Sequence, residues 1–262
     1  MPSGFSATAK CFQRRFPKPP QDNSWKGDEL LQIKSAGTVR MMFQNVRSFH
    51  FSKDGNTLSD LVQLQDYLSI DVLGISEHHQ DIAQIQKKME LAEIVHRHVP
   101  GRAASQFDSS EEQVASGTKP GGTALLTVGP LVGRLNPKGK EGDSLGRWSY
   151  MSYRRNEMAS LTIIAVYQVC KEPTNVIGGT AWHQQRRALD LQGRKAHPRK
   201  AFIDDLIAFV KDLQAQHHDI ILAGDWNETL DDTQSGLLRL ATTTGLSDPW
   251  LTRFPNYPSF AT

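Results

Sequence analysis

The stretch Asp219-Ile220-Ile221-Leu222-Ala223-Gly224-Asp225-Trp226-Asn227 predicts a short buried strand that stops at a glycine. Its apolar part, residues 220–223, is rich in β-favouring side chains, and Gly224 lets the chain turn where a larger residue would crowd it. Asp225 and Asn227 then share one side of the extended exit. A carboxylate beside an amide suits a site that holds a hard metal ion and orients a water near a phosphate. A turn built by the same two side chains is the commoner explanation.

Two earlier strand-like runs end in the same way. Residues 39–44 lead to Asn45, and residues 71–76 lead to Glu77. Three apolar strands therefore each present an oxygen-bearing side chain at the carboxyl end, which is the edge where layered α/β folds bind ligands. Mg²⁺ needs only one or two carboxylates, so this sparse set is sufficient for Mg²⁺, with Mn²⁺ as a second candidate. Zinc is less favoured, because the two cysteines are far apart and no Cys-x-x-Cys occurs.

Four short motifs follow one another along the chain: Gln44-Asn45-Val46-Arg47, Ile75-Ser76-Glu77, Ala165-Val166-Tyr167 and Gly224-Asp225-Trp226-Asn227. In this order and at this spacing they resemble the endonuclease/exonuclease/phosphatase superfamily. The closest resemblance is to the apurinic-endonuclease-like domain of non-LTR-type retroelement polyproteins, through three more stretches: Gly121-Gly122-Thr123-Ala124, Gly146-Arg147-Trp148-Ser149-Tyr150 and Pro198-Arg199-Lys200-Ala201-Phe202-Ile203-Asp204-Asp205-Leu206. The resemblance covers about residues 38–260.

The resemblance implies a role for each motif residue. Glu77 would be the principal metal ligand, and Asn45 would lie close to the metal and the phosphate. Asp225 would align or deprotonate the attacking water, while Asn227 would hold the phosphate. Tyr167 would face the scissile phosphate or the leaving oxygen, although a tyrosine that closes a β-rich run is as readily a core aromatic. The chemistry is reasonable in itself, since a metal neutralises a phosphoryl oxygen while a carboxylate takes the water proton.

The chain departs from the family pattern after the fourth motif. Family members continue with an aspartate that orients a histidine, and this histidine contacts the phosphate. Here the chain stops at Pro258-Ser259-Phe260-Ala261-Thr262, and none of its nine histidines follows Asn227. We therefore expect a C-terminally incomplete domain that is nearly inactive, either a fragment or the product of a decayed element.

Three functions remain open on these observations. The first is the DNA endonuclease domain of a retroelement protein, with a reverse transcriptase domain downstream. Its partner would be DNA, of which it cuts one strand. The second is a non-catalytic remnant that binds metal or nucleic acid weakly. The third is a phosphatase of the same superfamily, which only the retroelement-like stretches disfavour.

Two further groups of residues are candidates for supporting roles. His78 and His79 follow Glu77 directly and could orient its side chain. The position of His79 resembles one where family members have a polar or basic residue that supports the glutamate. A partly buried or solvent-facing histidine pair is the alternative. A basic stretch with only Asp190 opposing it would lie along a DNA backbone or form a solvated loop, and its members are Arg186, Arg187, Arg194, Lys195, Arg199 and Lys200. Our candidate nucleic-acid contacts are Arg186, Arg187, Arg199 and Lys200.

Composition sets limits that agree with one domain and a tail. A chain of 262 residues with 38% hydrophobic residues can bury a single sizeable core. The net charge of +2 is too small to steer the chain strongly toward nucleic acid. Two cysteines offer no disulfide framework, and no apolar run is long enough to span a membrane. Without a leader-like apolar segment, we expect an intracellular protein that is not secreted, with a nuclear location implied only by the resemblance.

The order of elements predicts the fold class. Residues 1–37 contain several prolines beside a basic group, which predicts a disordered tail. Residues 38–262 predict one domain. We expect strands at 39–44, 71–76, 123–128, 147–153 and 160–167, and helices around 57–68, 81–96, 182–191 and 201–215. This mixture suits an α/β (α+β) four-layer sandwich, in which two mixed β-sheets pack face to face with helices on the outside and the last strands are missing.

Overall fold

The computed structural model describes residues 34–52, 55–99, 101–112, 119–155, 159–171, 179–230 and 234–253. The chain divides into residues 1–38 and a unit of residues 39–262, and the second unit holds all of the described strands and helices. The predicted tail of residues 1–37 lies outside the described residues except for its last four, and it stays a prediction. Within the described residues, no helix is long and apolar enough to cross a membrane.

Strands and helices alternate along the described chain. The strands are β1 (Met41–Asn45), β2 (Phe51–Ser52), β3 (Gly55–Asn56), β4 (Val72–Ser76), β5 (Ala103–Asp108), β6 (Thr123–Val128), β7 (Leu135–Gly142), β8 (Trp148–Arg154), β9 (Ser160–Tyr167) and β10 (His218–Asp225). The α-helices are α1 (Thr57–Tyr67), α2 (Ile85–His98), α3 (Ala181–Leu191), α4 (Pro198–Ala215), α5 (Gly236–Thr244) and α6 (Pro249–Arg253). One turn-like 3₁₀ helix, Gly129–Arg134, joins β6 to β7.

The larger strands form two four-stranded sheets. The first has the order β1-β4-β6-β5, and the second has the order β10-β9-β8-β7. In each sheet one pair is parallel, β1 with β4 and β10 with β9, and the other neighbours are antiparallel. The predicted strands at residues 147–153 and 160–167 form the antiparallel pair β8–β9. Both sheets are therefore mixed.

Three hydrophobic clusters define the layers. One lies between the sheets and includes Val72, Leu125, Met151 and Ile163. A second packs α1 and α2 on the outer face of the first sheet. A third packs α4 and α5 on the outer face of the second sheet. Because side chains alternate along a strand, neighbouring residues of β4 serve different clusters, with Val72 facing the other sheet and Leu73 facing the helices. The predicted four-layer sandwich of two mixed sheets is confirmed.

Several predicted boundaries and elements are wrong. The helix expected from residue 81 begins at Ile85, because Asp81 instead accepts from the backbone of Ala83 and pairs with Lys119 at 2.6 Å. The helix expected from residue 201 begins at Pro198, where proline fits the first turn. The strands β2, β3, β5 and β7 and the helices α5 and α6 were not predicted.

Candidate active site

The carboxyl ends of four strands meet at one edge of the sandwich. In the first sheet the parallel register sets Asn45 beside Ser76, the residue before Glu77. In the second sheet the parallel register sets Asp225 beside Tyr167. Each sheet therefore brings two of the predicted site residues to the same edge.

Asn45 joins the two sheets through its side-chain amide. Its Nδ2 donates to Oε2 of Glu77 at 3.0 Å and to Oδ2 of Asp225 at 2.7 Å. Its Oδ1 accepts from the backbone N of Arg47 at 2.9 Å, which fixes the orientation of the amide. Two carboxylates from different sheets thus share one amide nitrogen, and Asn45, Glu77 and Asp225 converge as the sequence predicts.

Glu77 has a left-handed backbone, with φ of 59°. This conformation is uncommon for a residue other than glycine, and such strain costs about 1–3 kcal/mol. The surrounding chain holds it, because the N–H of Glu77 donates to the carbonyl of Gly122 at 2.8 Å and that of His79 donates to Gly121 at 3.0 Å. Strain that neighbours impose in this way is typical of functional sites.

Gly224 is required by a close approach between strands. It lies inside β10, which continues to Asp225, so the expectation that the strand stops at the glycine is wrong. Its φ is 145°, and a Cβ atom at this position would lie 2.1 Å from the carbonyl oxygen of Val166 in β9. Only glycine lets β9 and β10 approach this closely just before Asp225.

The environment of Asp225 raises the pKa of its carboxyl above the ordinary value. Burial is the largest cause, and the negative charge of Glu77 acts in the same direction. Hydrogen bonds from Asn45 and from the backbone N of Asn227 oppose the shift. A carboxylate with a raised pKa takes a proton from water more readily than an exposed one.

Tyr167 is both a core aromatic and a neighbour of the site. It is buried and packs with Val169, Ala181 and Trp182. Burial raises the pKa of its hydroxyl, and a hydrogen bond to Glu77 raises it further. The hydroxyl therefore stays protonated at neutral pH and donates to Glu77. Its predicted role toward the phosphate stays a prediction.

The side chain of Asn227 forms hydrogen bonds with the loop that follows β9. Its Nδ2 donates to the carbonyl of Gln168 at 2.7 Å, and its Oδ1 accepts from Sγ of Cys170 at 3.3 Å. Its backbone N donates to Oδ1 of Asp225 at 3.1 Å. One amide hydrogen remains for the phosphate contact that the resemblance implies. Cys170 was not predicted as a neighbour of the site, and the available signal was its position three residues after Tyr167.

The two histidines after Glu77 have different environments. His78 is fully buried and stacks on Phe49. Its Nδ1 accepts from the backbone N of Gln80, so its Nε2 carries the proton and donates to the carbonyl of Asp108 at 2.9 Å. Burial lowers the pKa of His78 to about 4, which keeps the ring neutral. The alternative of a partly buried or solvent-facing pair is therefore wrong for His78.

His79 is half-buried beside the carboxylate of Glu77. Burial lowers the pKa of its ring, and the charge of Glu77 opposes that shift. Its backbone carbonyl accepts from the N–H of Lys119 at 3.2 Å. This hydrogen bond holds the loop after Glu77 through its backbone. The supporting role of the His79 ring stays a prediction.

The basic stretch has carboxylate partners besides Asp190, and two of them, Glu112 and Glu228, are distant in sequence. The expectation that only Asp190 opposes it is wrong, because folding brings acids from other elements against it. The pairs are Arg186–Asp190 at 3.1 Å, Arg187–Glu112 at 2.6 Å, Arg194–Asp205 at 2.6 Å, Arg199–Glu228 at 2.9 Å and Lys200–Asp204 at 3.4 Å. Lys200 is 70% exposed, whereas Arg199 is only 12% exposed. Contact of these residues with nucleic acid stays a prediction.

The donor set at the strand ends fits a magnesium-type site. Within the described residues, no group of three or more His, Cys, Asp and Glu side chains is arranged to hold a metal. Glu77 nevertheless supplies a carboxylate beside the amide of Asn45, and one or two carboxylates suffice for Mg²⁺ when waters and substrate complete the octahedron. The amide of Asn45 now donates to both Glu77 and Asp225. The amide must rotate to offer its Oδ1 to a metal.

Comparison with known proteins gives similar structures but no sequence match. No family model matches the chain, and no curated protein matches it. An endonuclease/exonuclease/phosphatase from Beutenbergia cavernae has a TM-score of 0.46 and 13% identity over 81% of this chain and 55% of its own. An endonuclease/exonuclease/phosphatase family protein from Leptotrichia buccalis has a TM-score of 0.45 and 10% identity over 79% of this chain and 73% of its own. The 3′ phosphatase NExo from Neisseria, bound to a product DNA hairpin, has a TM-score of 0.39 and 15% identity over 66% of this chain and 54% of its own. The chain thus spans about half the length of two of these structures.

Proposed function

We propose that this chain belongs to the endonuclease/exonuclease/phosphatase superfamily and carries a site for divalent-metal-dependent hydrolysis of phosphodiesters. The observation that carries the proposal is the pair of carboxylates, Glu77 and Asp225, which reach one amide nitrogen of Asn45 from two different sheets. Two like charges held close together in a partly buried place repel each other unless a proton or a cation binds there. A divalent metal would relieve that repulsion.

The proposed metal is Mg²⁺ or Mn²⁺, held by Glu77 and by Oδ1 of a rotated Asn45. When bound, the metal would neutralise charge on a phosphoryl oxygen. Asp225 is the base, because its buried carboxylate has a raised pKa and its second oxygen is oriented by the N–H of Asn227. The hydroxyl of Tyr167 lies beside the carboxylate of Glu77 and remains protonated there.

The proposed substrate is DNA, and the proposed source is the endonuclease domain of a retroelement protein. Support comes from the retroelement-like stretches, since two of them adjoin the site. Gly122 accepts from the backbone of Glu77 at 2.8 Å, and Arg199 donates to the carbonyl of Asn227 at 3.3 Å. In this proposal a reverse transcriptase domain is the partner in the same polyprotein, and the site acts on chromosomal DNA in the nucleus.

A plasmid-nicking assay tests the proposal. Supercoiled plasmid is incubated with excess protein and Mg²⁺ or Mn²⁺, so that slow nicking is also detected. Asp225→Asn keeps the shape of the base and removes its charge, so nicking should be lost. Asp219→Asn is the matched control, since Asp219 lies at the other end of the same strand, is exposed, and pairs with Arg155.

The outcomes separate the three functions. Nicking that requires metal and Asp225 supports the endonuclease. Faster cleavage of p-nitrophenyl phosphate than of bis-p-nitrophenyl phosphate supports the phosphatase. Metal binding that depends on Glu77, without hydrolysis of any substrate, supports the non-catalytic remnant. Equal nicking by wild type and Asp225→Asn refutes the assignment of the site.

A further inference from the structure

We propose that Arg199 is a positioning residue that locks the exits of β9 and β10 together, rather than a contact to the DNA backbone. Where it concerns catalysis, this inference rests on the proposed function of the site. Its structural part, that Arg199 and Glu228 hold Asn227 in place, stands independently of the reaction.

The guanidinium of Arg199 touches both strand exits. It donates to the carbonyl of Val169, after β9, at 2.5 Å and to the carbonyl of Asn227, after β10, at 3.3 Å. It also pairs with the carboxylate of Glu228 at 2.9 Å, and each of these two side chains is only 12% exposed. The planar guanidinium presents its donors in a rigid fork, so one side chain can hold three acceptors on two loops.

Glu228 extends the same network to α5. Its second oxygen, Oε1, accepts from the N–H of Leu237 at 2.8 Å, in the first turn of that helix. An anionic side chain is favourable at a helix N-terminus. The buried amide of Gln168, oriented as its neighbours require, donates to Glu228 at 3.1 Å and to the carbonyl of Trp226 at 2.7 Å. The pair Arg199–Glu228 therefore joins α4, α5 and both strand exits.

The network acts on the site through Asn227. The backbone of Asn227 is left-handed, with φ of 49°, a conformation that asparagine adopts more readily than most residues and that its hydrogen bonds hold here. In that conformation its N–H reaches Oδ1 of Asp225. Arg199 holds the carbonyl of the same residue. Loss of the guanidinium fork would let Asn227 relax and would release one of the two groups that orient Asp225.

Substitution by lysine separates positioning from DNA contact. Arg199→Lys keeps the positive charge but loses the fork, and misplacement of a reacting group by about 1 Å costs on the order of 10²-fold in rate. We expect kcat for nicking to fall by about 10- to 100-fold with KM nearly unchanged. Loss of a phosphate contact would instead raise KM and reduce the dependence of log KM on log salt by about one unit.

Two further variants define the pair and its control. Glu228→Gln keeps the shape and removes the charge, so it should lower kcat as Arg199→Lys does, and the double variant should be little worse than either single one. Arg239→Lys is the matched control. Arg239 pairs with Asp204 at 2.6 Å and links α5 to α4 as well, but its ion pair does not reach the strand exits. Its variant should keep the wild-type kcat.

Amide hydrogen exchange of Asn227, measured by NMR, gives a readout that needs no hydrolysis. Protection of this N–H should fall in Arg199→Lys and Glu228→Gln and remain in Arg239→Lys. If wild type hydrolyses nothing while this pattern holds, the proposed function fails and the positioning network stands. Unchanged protection in Arg199→Lys, or a raised KM with a reduced salt dependence, would overturn the inference.

Discussion

Asp108 is a buried carboxyl group whose ionisation should destabilise the fold. Its Oδ1 accepts from Nε2 of Gln106 at 2.7 Å, while its Oδ2 is buried and has no hydrogen-bond partner among the described residues. The side chain packs so closely on Gly142 that a Cβ atom there would lie 1.9 Å from the Asp108 carboxyl carbon. Burial raises the pKa of Asp108 from 3.8 to about 6, and the hydrogen bond from Gln106 opposes this shift.

The shift converts into a pH-dependent stability. Because the folded pKa is raised, the stabilising contribution of the neutral form is fully present below pH 3.8 and is lost as pH rises through about 6. A shift of roughly two units corresponds to about 3 kcal/mol at neutral pH. Asp108→Asn stays neutral at every pH, so it should be more stable than wild type by about 2–3 kcal/mol near neutrality and should match wild type near pH 3.8.

Urea unfolding at the two pH values measures the difference. Wild type and variant both contain His78, whose pKa is lowered by burial to about 4. The unfolded state protonates this histidine as pH falls from 6.5 toward 4, so the folded state becomes less stable over that range. The contribution of His78 to stability therefore has the opposite pH dependence to that of Asp108. Subtracting the free energy of unfolding of wild type from that of the variant at each pH removes the contribution of His78. Asp219→Asn, at an exposed ion pair, should change stability by less than about 0.5 kcal/mol. A difference for Asp108→Asn that is equal at both pH values would refute the argument.

Three further predictions concern the site. Glu77→Gln should weaken Mn²⁺ binding in calorimetry by removing a charge while keeping the shape, whereas Asp219→Asn should not; equal affinities would show that the metal binds elsewhere. Asn45→Leu should raise the pKa of Asp225 further, because it removes a hydrogen bond to the carboxylate, and an NMR titration of the carboxyl carbon that shows a lower pKa would contradict this. Gly224→Ala should lower the thermal midpoint, since the new Cβ would lie 2.1 Å from a carbonyl oxygen of β9 and the strained φ alone costs about 1–3 kcal/mol; an unchanged midpoint would mean that β9 and β10 can separate without loss.

The strand ends were predictable because they depend on local pattern and on parallel pairing. Apolar runs that stop at a polar residue indicate buried strands, and parallel neighbours bring their carboxyl ends to one edge. Asn45, Glu77 and Asp225 follow from these two rules. What the sequence did not indicate is the bridging role of Asn45, because its partner Asp225 lies 180 residues away and the bond depends on how the two sheets pack.

β7 shows why other elements were missed. Its sequence, Leu-Asn-Pro-Lys-Gly-Lys-Glu-Gly, contains a proline and two glycines, which are typical of loops. In the structure it is an edge strand of its sheet, and its register with β8 shifts between Leu135 and Lys140. Edge strands and bulges tolerate proline and glycine because one side of the strand needs no partner. Local pattern alone cannot distinguish such a strand from a loop.

Arg199 illustrates a different limit. In the sequence it belongs to a run of basic residues and looks like part of a solvated or DNA-facing surface. Its partner Glu228 is 29 residues away, and the two loops that it joins follow different strands. Charge patterns predict exposed groups well, but they do not show when a fold buries a long side chain against carbonyl oxygens. Only the packing of α4 on the second sheet reveals it.

Several strained positions of this fold lie at the proposed site. The left-handed backbones of Glu77 and Asn227 and the close approach at Gly224 all lie within three residues of a strand end that carries a site carboxylate. Strand interiors in both sheets show the alternation that local rules predict. A chain under pressure only for stability would relax these positions, and conflict between local preference and global fold is expected where function requires it. Part of the strain in the fold therefore coincides with the carboxylate pair, and this coincidence is independent of any similarity in sequence.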